Sequence, residues 1–182
     1  GDAGSVIVNN AVGTTITTYG WTNPAAKNVG ADAIVAQSIG GGGGSGSNGG
    51  GLVAIGGDGS AGGIGGSVTV NNDGTLITIG PKARGIFAQS IGGSGGSGGD
   101  ANNNFENASN EMSIAVGGPG GSGSQAGTVH VTQTGHIDTQ GDDADGVLAQ
   151  SIGGGGGSGG ASGTQNLQYE SADSNTLAIA VG

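Results

Sequence analysis

The stretch AQSIGGSGGSGG, residues Ala88–Gly99, carries the two signals that decide the fold. The six letters AQSIGG also occur at Ala36–Gly41 and Ala149–Gly154, and each copy is followed by a run rich in glycine and serine. In GGSGGSGG (Gly92–Gly99) a residue other than glycine recurs at every third position. A motif that recurs along the chain and is followed each time by the same type of sequence indicates a repeat protein.

The residues that flank AQSIGG repeat as well. A V-x-V segment and then an apolar-x-Thr-x-Gly segment precede each copy, and an aliphatic segment ending in glycine follows each glycine run. Gly4, Gly66 and Gly127 open the three V-x-V segments and stand 62 and 61 residues apart. The chain therefore divides into three units of one continuous solenoid segment, at residues 1–65, 66–126 and 127–182.

The segments between the glycine runs alternate apolar and polar residues over short distances. This alternation predicts β-strands with one buried face, and no stretch has the helical period with helix caps. Three or four strands in each unit, repeated along the chain, predict an all-β fold: a parallel β-helix or β-solenoid whose coils stack about 4.8 Å apart.

Stacked coils place equivalent residues over one another. We expect the isoleucines of AQSIGG to form a buried aliphatic ladder, the alanines to be small because a neighbouring wall is close, and the glutamines to chain their side-chain amides. These ladder residues are Ile39, Ile91, Ile152, Ala36, Ala88, Ala149, Gln37, Gln89 and Gln150.

Glycine dominates the composition, with 48 residues, while charged residues make up 9% and aromatic residues 3%. Glycine-rich chains are often flexible linkers, but the β-branched alternation between the runs argues against disorder. A threefold helix of the polyproline II type, here polyglycine II-like, would account for the period in GGSGGSGG. We expect one such run per unit to pack as a sheath over the coil; loose surface loops are the alternative.

The formal net charge is −10, from 13 acidic and 3 basic residues. Nucleic acids and anionic membrane surfaces both attract clustered lysine and arginine, so neither is an expected partner. No run of about 18 apolar residues is present, so we expect no direct insertion of this segment into a membrane. Cysteine is absent, which leaves the redox compartment open.

The combined pattern resembles the glycine-rich β-helical passenger repeats of bacterial autotransporter adhesins. The residues that carry the resemblance are Val68–Gly99, Val129–Gly160 and Ile114–Gly123, and it extends over nearly the whole chain. The AQSIGGGGG core is its specific part. The resemblance implies a right-handed parallel β-helix that is exported across the outer membrane and displayed outside the cell.

Three aspartates in the turn of unit three are the strongest metal candidates. Asp142, Asp143 and Asp145 could offer oxygen ligands to calcium, although their spacing fits neither an EF-hand nor a calcium-binding β-roll. Alignment places Lys82 on Asp143 and Arg84 on Asp145. We therefore interpret the turn as solvated, with charge pairing between coils, and expect no metal and no cofactor.

No catalytic arrangement accompanies the repeats. His130 is expected at an outward position and His136 in a turn, and AQSIGG lacks the glycines of a nucleophile elbow. The glycine runs lack the G-K-[ST] of a phosphate loop, and three basic residues are few for a polysaccharide-cleaving β-helix. The short threonine row is a minor ice-binding alternative. We predict that the chain is not an enzyme.

Inserted segments distinguish the units from one another. Binding usually resides in loops that project from a rigid scaffold, and neutral insertion drift is the alternative. The three inserted segments follow Gly20 in unit one and the glycine runs of units two and three, and their candidate binding residues are Trp21, Phe105 and Tyr169.

These observations favour a non-enzymatic, extracellular segment at the bacterial cell surface, acting as a stalk or adhesion surface of an autotransporter-like protein. A self-stacking subunit of an extracellular filament or biofilm matrix fibre is the alternative. The expected partners are adjacent repeats, other copies of the chain, and host-cell or matrix surfaces. When the end of the sequence at Gly182 is joined to its beginning at Gly1, the resulting stretch resembles the junctions between the units. We therefore expect the chain to be part of a longer array or to stack head to tail.

Overall fold

The computed structural model of the protein describes residues 1–20, 30–106, 112–167 and 177–182. In these residues the fold is all-β, and its fifteen strands form five sheets of three parallel strands. Each unit contributes one strand to every sheet, and unit two always supplies the central strand. The chain is therefore a parallel β-solenoid in which each unit is one coil, as the repeats predicted.

Three sheets form the walls of the coil. Their strands are β1 (Val6–Asn10), β6 (Val68–Asn72) and β11 (Val129–Gln133) in the first wall, β2 (Thr15–Tyr19), β7 (Thr75–Ile79) and β12 (His136–Gln140) in the second, and β3 (Ile34–Ile39), β8 (Ile86–Ile91) and β13 (Val147–Ile152) in the third.

Two further sheets lie beyond the glycine runs. They contain β4 (Gly49–Gly50), β9 (Ala101–Glu106) and β14 (Ser162–Leu167), which lead away from the runs, and β5 (Val53–Ile55), β10 (Met112–Val116) and β15 (Leu177–Val181), which lead back. The strands β9 and β14 lie in segments that were expected from the sequence to be projecting loops, whereas β4 lies at the end of the first glycine run. We refer to these two sheets together as the flange.

Pairing is in register along the repeat. Val6 pairs with Val68 and Val68 with Val129, while Ala36 pairs with Ala88 and Ala88 with Ala149. Parallel strands in register place identical side chains over one another, so each sequence repeat becomes a column of like residues.

The interior of the coil is filled by aliphatic side chains from all three walls. The fully buried members are Val68, Val70, Leu76, Ile86 and Ala88, all from the central unit. Unit two is covered on both sides by units one and three, which explains why burial is most complete there. No helix in the described residues is long and apolar enough to cross a membrane.

Buried polar side chains also form columns. Asn10 donates from its amide to Asn72 at 2.6 Å, and Asn72 donates to Gln133 at 2.7 Å. In the second wall Thr78 donates to the carbonyl oxygen of Ala83 at 3.0 Å, which ties the strand to the turn that follows it. Such bonds satisfy polar groups that water cannot reach.

The serines of AQSIGG connect the third wall to the first residues of their own unit and of the next unit. The Ser38 hydroxyl donates to the Gly4 carbonyl oxygen at 2.7 Å and accepts from the Gly66 amide at 2.9 Å. Ser90 repeats this pattern, donating to Gly66 and accepting from Gly127, both at 2.8 Å. Each serine thus bridges two consecutive units.

The glycine runs are ordered and of two kinds. The outgoing runs, residues 40–48, 92–100 and 153–161, follow AQSI, and the return runs, residues 56–65 and 117–126, follow the flange. Every third amide of the first outgoing run donates to the second: Gly43 to Ser94 at 2.7 Å and Gly46 to Ser97 at 2.8 Å. A period of three is that of the polyproline II helix.

Outgoing and return runs also bond to each other, in antiparallel directions. Gly57, Ser60 and Gly63 donate to Ser47, Gly44 and Gly41 at 2.7–2.8 Å. The predicted sheath is therefore a bundle of two layers. The sequence analysis expected one run per unit and missed the return runs, whose glycines are less regularly spaced.

Close approach of neighbouring runs requires glycine at two positions of every three in the outgoing run of unit two, which is packed on two sides. A methyl group on Gly96 would overlap the carbonyl oxygen of Gly44, and one on Gly95 would overlap that of Gly121, well inside the 3.0 Å that real contacts keep. Ser94 and Ser97 occupy the third position and are exposed. Serine therefore recurs at every third position of GGSGGSGG because that side of the threefold helix faces solvent.

We predict that Gly96→Ala lowers the free energy of unfolding by about 1–3 kcal/mol, because the added methyl group must push two hydrogen-bonded backbones apart. Gly155→Ala is the matched control, since no atom lies within 4 Å of a methyl group there. The control should be neutral or gain about 0.4–1 kcal/mol through the unfolded chain. Urea unfolding measures both, and equal stability of the two variants would contradict the packing described.

Candidate functional site

The outward face of the third wall carries the AQSIGG ladders. Gln37 donates from its side-chain amide to Gln89 at 2.9 Å, and Gln89 donates to Gln150 at 2.8 Å, which is the amide chain expected from the sequence. The alanines point the other way, and Ala36 and Ala88 are buried.

The expected burial of the isoleucine ladder is wrong. Ile39, Ile91 and Ile152 stack in register, but Ile39 is 54% exposed, Ile152 is 44% exposed and Ile91 is half-buried. The first inward position of these strands is filled by Ile34 and Ile86, and the inward positions within AQSIGG belong to alanine and serine. The residue at the serine position is small because its hydroxyl bonds to the glycine backbone at the start of the units. Strand alternation then sends the isoleucine outward.

The flange presents a second and larger apolar surface, on the sheet formed by β5, β10 and β15. Alanines on the inner side of this sheet, Ala54 and Ala115, are buried against Ala101 of the other sheet. All the large aliphatic residues therefore point outward. This aliphatic face consists of Val53, Ile55, Met112, Ile114, Val116, Leu177, Ile179 and Val181.

The aliphatic face is exposed and carries no charge. Ile55 is 65% exposed, Met112 57% and Val181 55%, and the pairing of Val53 with Ile114 and of Ile114 with Ile179 makes continuous rows. The strands β5, β10 and β15, of three, five and five residues, cover about 200 Å² at the usual strand spacings. Apolar patches of a few hundred Å² mark contact sites on protein surfaces, and this face reaches that order of size, so it is the best candidate for an interaction surface.

The sequence predicts the strands of the aliphatic face but not the face itself. The pattern aliphatic-Ala-aliphatic in Val53–Ile55 and Ile114–Val116 shows alternation but does not say which side is buried. The inner residues of the flange are mostly small, namely Ala54, Ala101, Ala115 and Ser113. The exception is Asn103, which is buried with an amide that has no hydrogen-bond partner in the described parts of the chain.

The acidic turn of unit three is exposed. Asp142, Asp143 and Asp145 all face solvent, and Asp143 and its equivalent Lys82 share the left-handed backbone, with φ of 55° and 59°. The Lys82 amide donates to the carbonyl oxygen of Asp142 at 2.8 Å. The Arg84 guanidinium lies 4.4 Å from the centre of the Phe87 ring. The turns of units two and three are therefore stacked as the alignment of the units predicted. The guanidinium of Arg84 makes a cation–π contact with the Phe87 ring.

No group of three or more His, Asp, Glu or Cys residues that could hold a metal ion occurs in the described parts of the chain. His130 is exposed on β11 and lies 3.3 Å from the Thr132 hydroxyl through its Nε2. His136 is exposed at the first position of β12 rather than in a turn.

The inserted segments fall mostly outside the described residues. Trp21 and Tyr169 lie outside the described residues, and Phe105 lies in strand β9, where its backbone pairs with Asn166 of β14. The beginning of the segment that contains Phe105 is therefore a strand of the flange and not a projecting loop. Register shows that the insertions leave the stack undisturbed, because β10 still pairs with both β5 and β15.

No protein family matches the chain, and no curated protein matches it. A solved structure can be compared: the nine-helix polyproline type II bundle antifreeze protein of the springtail Granisotoma rainieri, 18% identical over 84% of this chain and 96% of that chain. Its TM-score is 0.11, so the likeness carries no argument about fold or function.

We predict that EDTA leaves the melting temperature unchanged and that millimolar calcium does not raise it. The carboxylates of Asp142, Asp143 and Asp145 are solvated, and the coil beneath them presents Lys82 and Arg84 rather than further oxygen ligands. Calorimetry with and without each reagent measures the effect. A rise of several degrees with calcium that Asp143→Asn abolishes would show that the turn binds metal.

Proposed function

We propose that the chain is a non-enzymatic structural and adhesive repeat segment of an autotransporter-like protein at the bacterial cell surface. The observation that carries the proposal is the in-register stacking of all five sheets, which converts the repeat into ladders of equivalent outward side chains, such as the glutamines and isoleucines of AQSIGG. A rigid surface of repeated contacts suits adhesion or support. The AQSIGG resemblance supplies the extracellular setting.

The aliphatic face is the proposed adhesion surface. An interface in a stable complex usually buries about 800 Å² on each partner, several times the area that three units offer. Each further unit would add another strand to the same face, so contact strength would grow with the number of coils. A partner surface rich in apolar groups, on a host cell or in a matrix, fits this chemistry.

A self-stacking filament subunit is the second candidate. Units one and three supply the edge strands of every sheet, and unpaired edges recruit further strands.

The location can be tested in cells that produce the protein. An antibody against the chain should label intact cells, and mild protease treatment without lysis should remove the label. Labelling that requires permeabilised cells would contradict the proposed surface location, and a cytoplasmic marker protein that survives the protease serves as the control.

Adhesion can be tested with beads coated with purified chain. We predict that Val53→Thr, Ile114→Thr and Ile179→Thr together reduce bead binding to host cells or matrix about tenfold or more, because they remove one apolar row of the aliphatic face. The control is Ile7→Thr, which changes an isoleucine 69% exposed on the first wall. Equal loss in both variants, or loss in neither, would contradict a role for this face.

A further inference from the structure

An uncharged surface extends along the outgoing side of the molecule. The inward serines of the third wall bond to Gly4 and Gly66, which precede the first wall, and the inward glycines of the outgoing runs bond to the return runs. The outward residues of the third wall and of the outgoing runs therefore face the same side of the molecule. We refer to this surface as the platform; its outward residues are Val35, Gln37, Ile39, Gly42 and Ser45 in unit one, Phe87, Gln89, Ile91, Ser94 and Ser97 in unit two, and Leu148, Gln150, Ile152, Gly155 and Ser158 in unit three.

The platform consists of five rows that run from unit to unit. Pairing in register places Val35, Phe87 and Leu148 in the first row and the isoleucines of AQSIGG in the third, so the glutamine ladder lies between two apolar rows. Glycine and serine form the last two rows, in which Ser94 and Ser97 are exposed. Every unit thus adds a similar strip of apolar, amide and hydroxyl groups.

The platform carries no charge, although the chain is strongly acidic. Residues 34–47, 86–99 and 147–160 contain no aspartate, glutamate, lysine or arginine, whereas the formal net charge of the chain is −10. Charged groups stand at two borders of the platform: the Arg84 guanidinium lies over the Phe87 ring, and the Asp100 carboxylate accepts a hydrogen bond from the Ala161 amide at 2.8 Å. Copies of an acidic chain repel each other, and an uncharged surface lowers that repulsion where two copies meet.

The platform is large enough for a stable contact. Strands of six residues continue into outgoing runs of nine residues, so the platform is about 48 Å long, and three coils make it about 14 Å wide. Its area of about 700 Å² approaches the ~800 Å² that each partner usually buries in a stable complex. The aliphatic face of the flange, at about 200 Å², offers far less.

The groups on the platform fit a second platform. In a symmetric dimer the same surface is used twice, so each group must be a suitable partner for its own kind. Aliphatic side chains meet this condition, and amides and hydroxyls meet it because each both donates and accepts hydrogen bonds. A charged ligand would find no countercharge within the platform, whereas a second copy of the chain brings apolar rows to apolar rows.

We infer that the platform is a self-association surface, through which two copies of the chain pack face to face, with third wall on third wall and outgoing runs on outgoing runs. This arrangement brings the apolar rows of both copies together, whereas the reversed one would place them on serine. Its twofold axis lies along the strands, so the two solenoid axes are antiparallel. Ser97 of one copy is then close to Ser97 of the other, since both belong to the central unit.

Self-association through the platform leaves the aliphatic face free. Ala54 and Ala115 pack against Ala101 of β9, the strand that continues from the outgoing run of unit two. The aliphatic face therefore lies on the return side of the molecule, opposite the platform. A dimer presents one such face on each side, and the inference does not depend on what that face binds.

Sedimentation velocity of the purified chain should show a dimer whose population rises with concentration over the micromolar range. Ser97→Glu should raise the dimer dissociation constant roughly tenfold or more, because two carboxylates would face each other in the contact. Ser122→Glu is the matched control, since it adds the same charge at an exposed position of the return run in the same unit. It should leave the dissociation constant unchanged, and circular dichroism should show the same β structure in both variants.

Cross-linking tests the orientation of the two copies. The sequence contains no cysteine, so Ser97→Cys introduces one thiol per chain. A bifunctional maleimide that spans about 10 Å, the usual distance between packed sheets, should join two copies of this variant. It should not join copies of Ser122→Cys, whose thiols lie on the return side of the molecule.

Four results would overturn the inference. The chain stays monomeric over the micromolar range, Ser97→Glu leaves the dimer as stable as Ser122→Glu does, or Ser97→Cys is not joined in a dimer that sedimentation detects. The fourth is a dimer that is lost when Val53, Ile114 and Ile179 are changed to threonine, because that loss would place the contact on the aliphatic face.

Discussion

Glycine runs can stack at the spacing of β-strands only if no Cβ atom stands between them, and the rest of this fold depends on that constraint. The coil walls set a spacing of about 4.8 Å between units. The runs must keep the same spacing, because they continue directly from the strands, as Gly40 continues from Ile39. Side chains are then admitted only where the helix faces solvent, as at Ser94 and Ser97.

The same constraint explains how a chain with so few large residues is ordered. Glycine loses more backbone freedom than any other residue when it folds. Here the loss is offset by hydrogen bonds in two directions, since Gly96 donates to Ser60 and accepts from Gly121. The serine bridges at Ser38 and Ser90 then tie the bundle to the aliphatic coil, so the two parts stabilise one another.

The sequence predicted the repeat, the parallel stacking and the glutamine ladder, because each follows from periodicity alone. It misplaced Ile39, Ile91 and Ile152, because alternation identifies two faces without saying which is buried. The serine side of the strand faces inward because Ser90 must reach the glycine backbones of two units to form its hydrogen bonds. This requirement arises only in the packed coil and cannot be seen in the sequence. The aliphatic face could not be predicted for the same reason. Its alanines face inward because they pack against the second sheet of the flange, which the sequence does not reveal.

The candidate interaction surface could be recognised only once the two sheets of the flange were seen to pack through Ala54, Ala101 and Ala115. Motifs contributed less, since the acidic turn and the histidines are solvated. The strand that contains Phe105 shows why insertions are hard to interpret from sequence. An irregular, asparagine-rich segment becomes a strand because its neighbours in units one and three offer an edge on both sides.

One unit adds one coil, and this has a consequence for shape. Each coil contains about 60 residues and forms a layer only about 4.8 Å thick. The nine residues from 40 to 48 alone extend about 28 Å sideways at the rise of a threefold helix, and the flange continues beyond them. The molecule therefore grows slowly in height and broadly in width. Lengthening the glycine runs would widen each layer without adding another, so breadth and height are encoded independently.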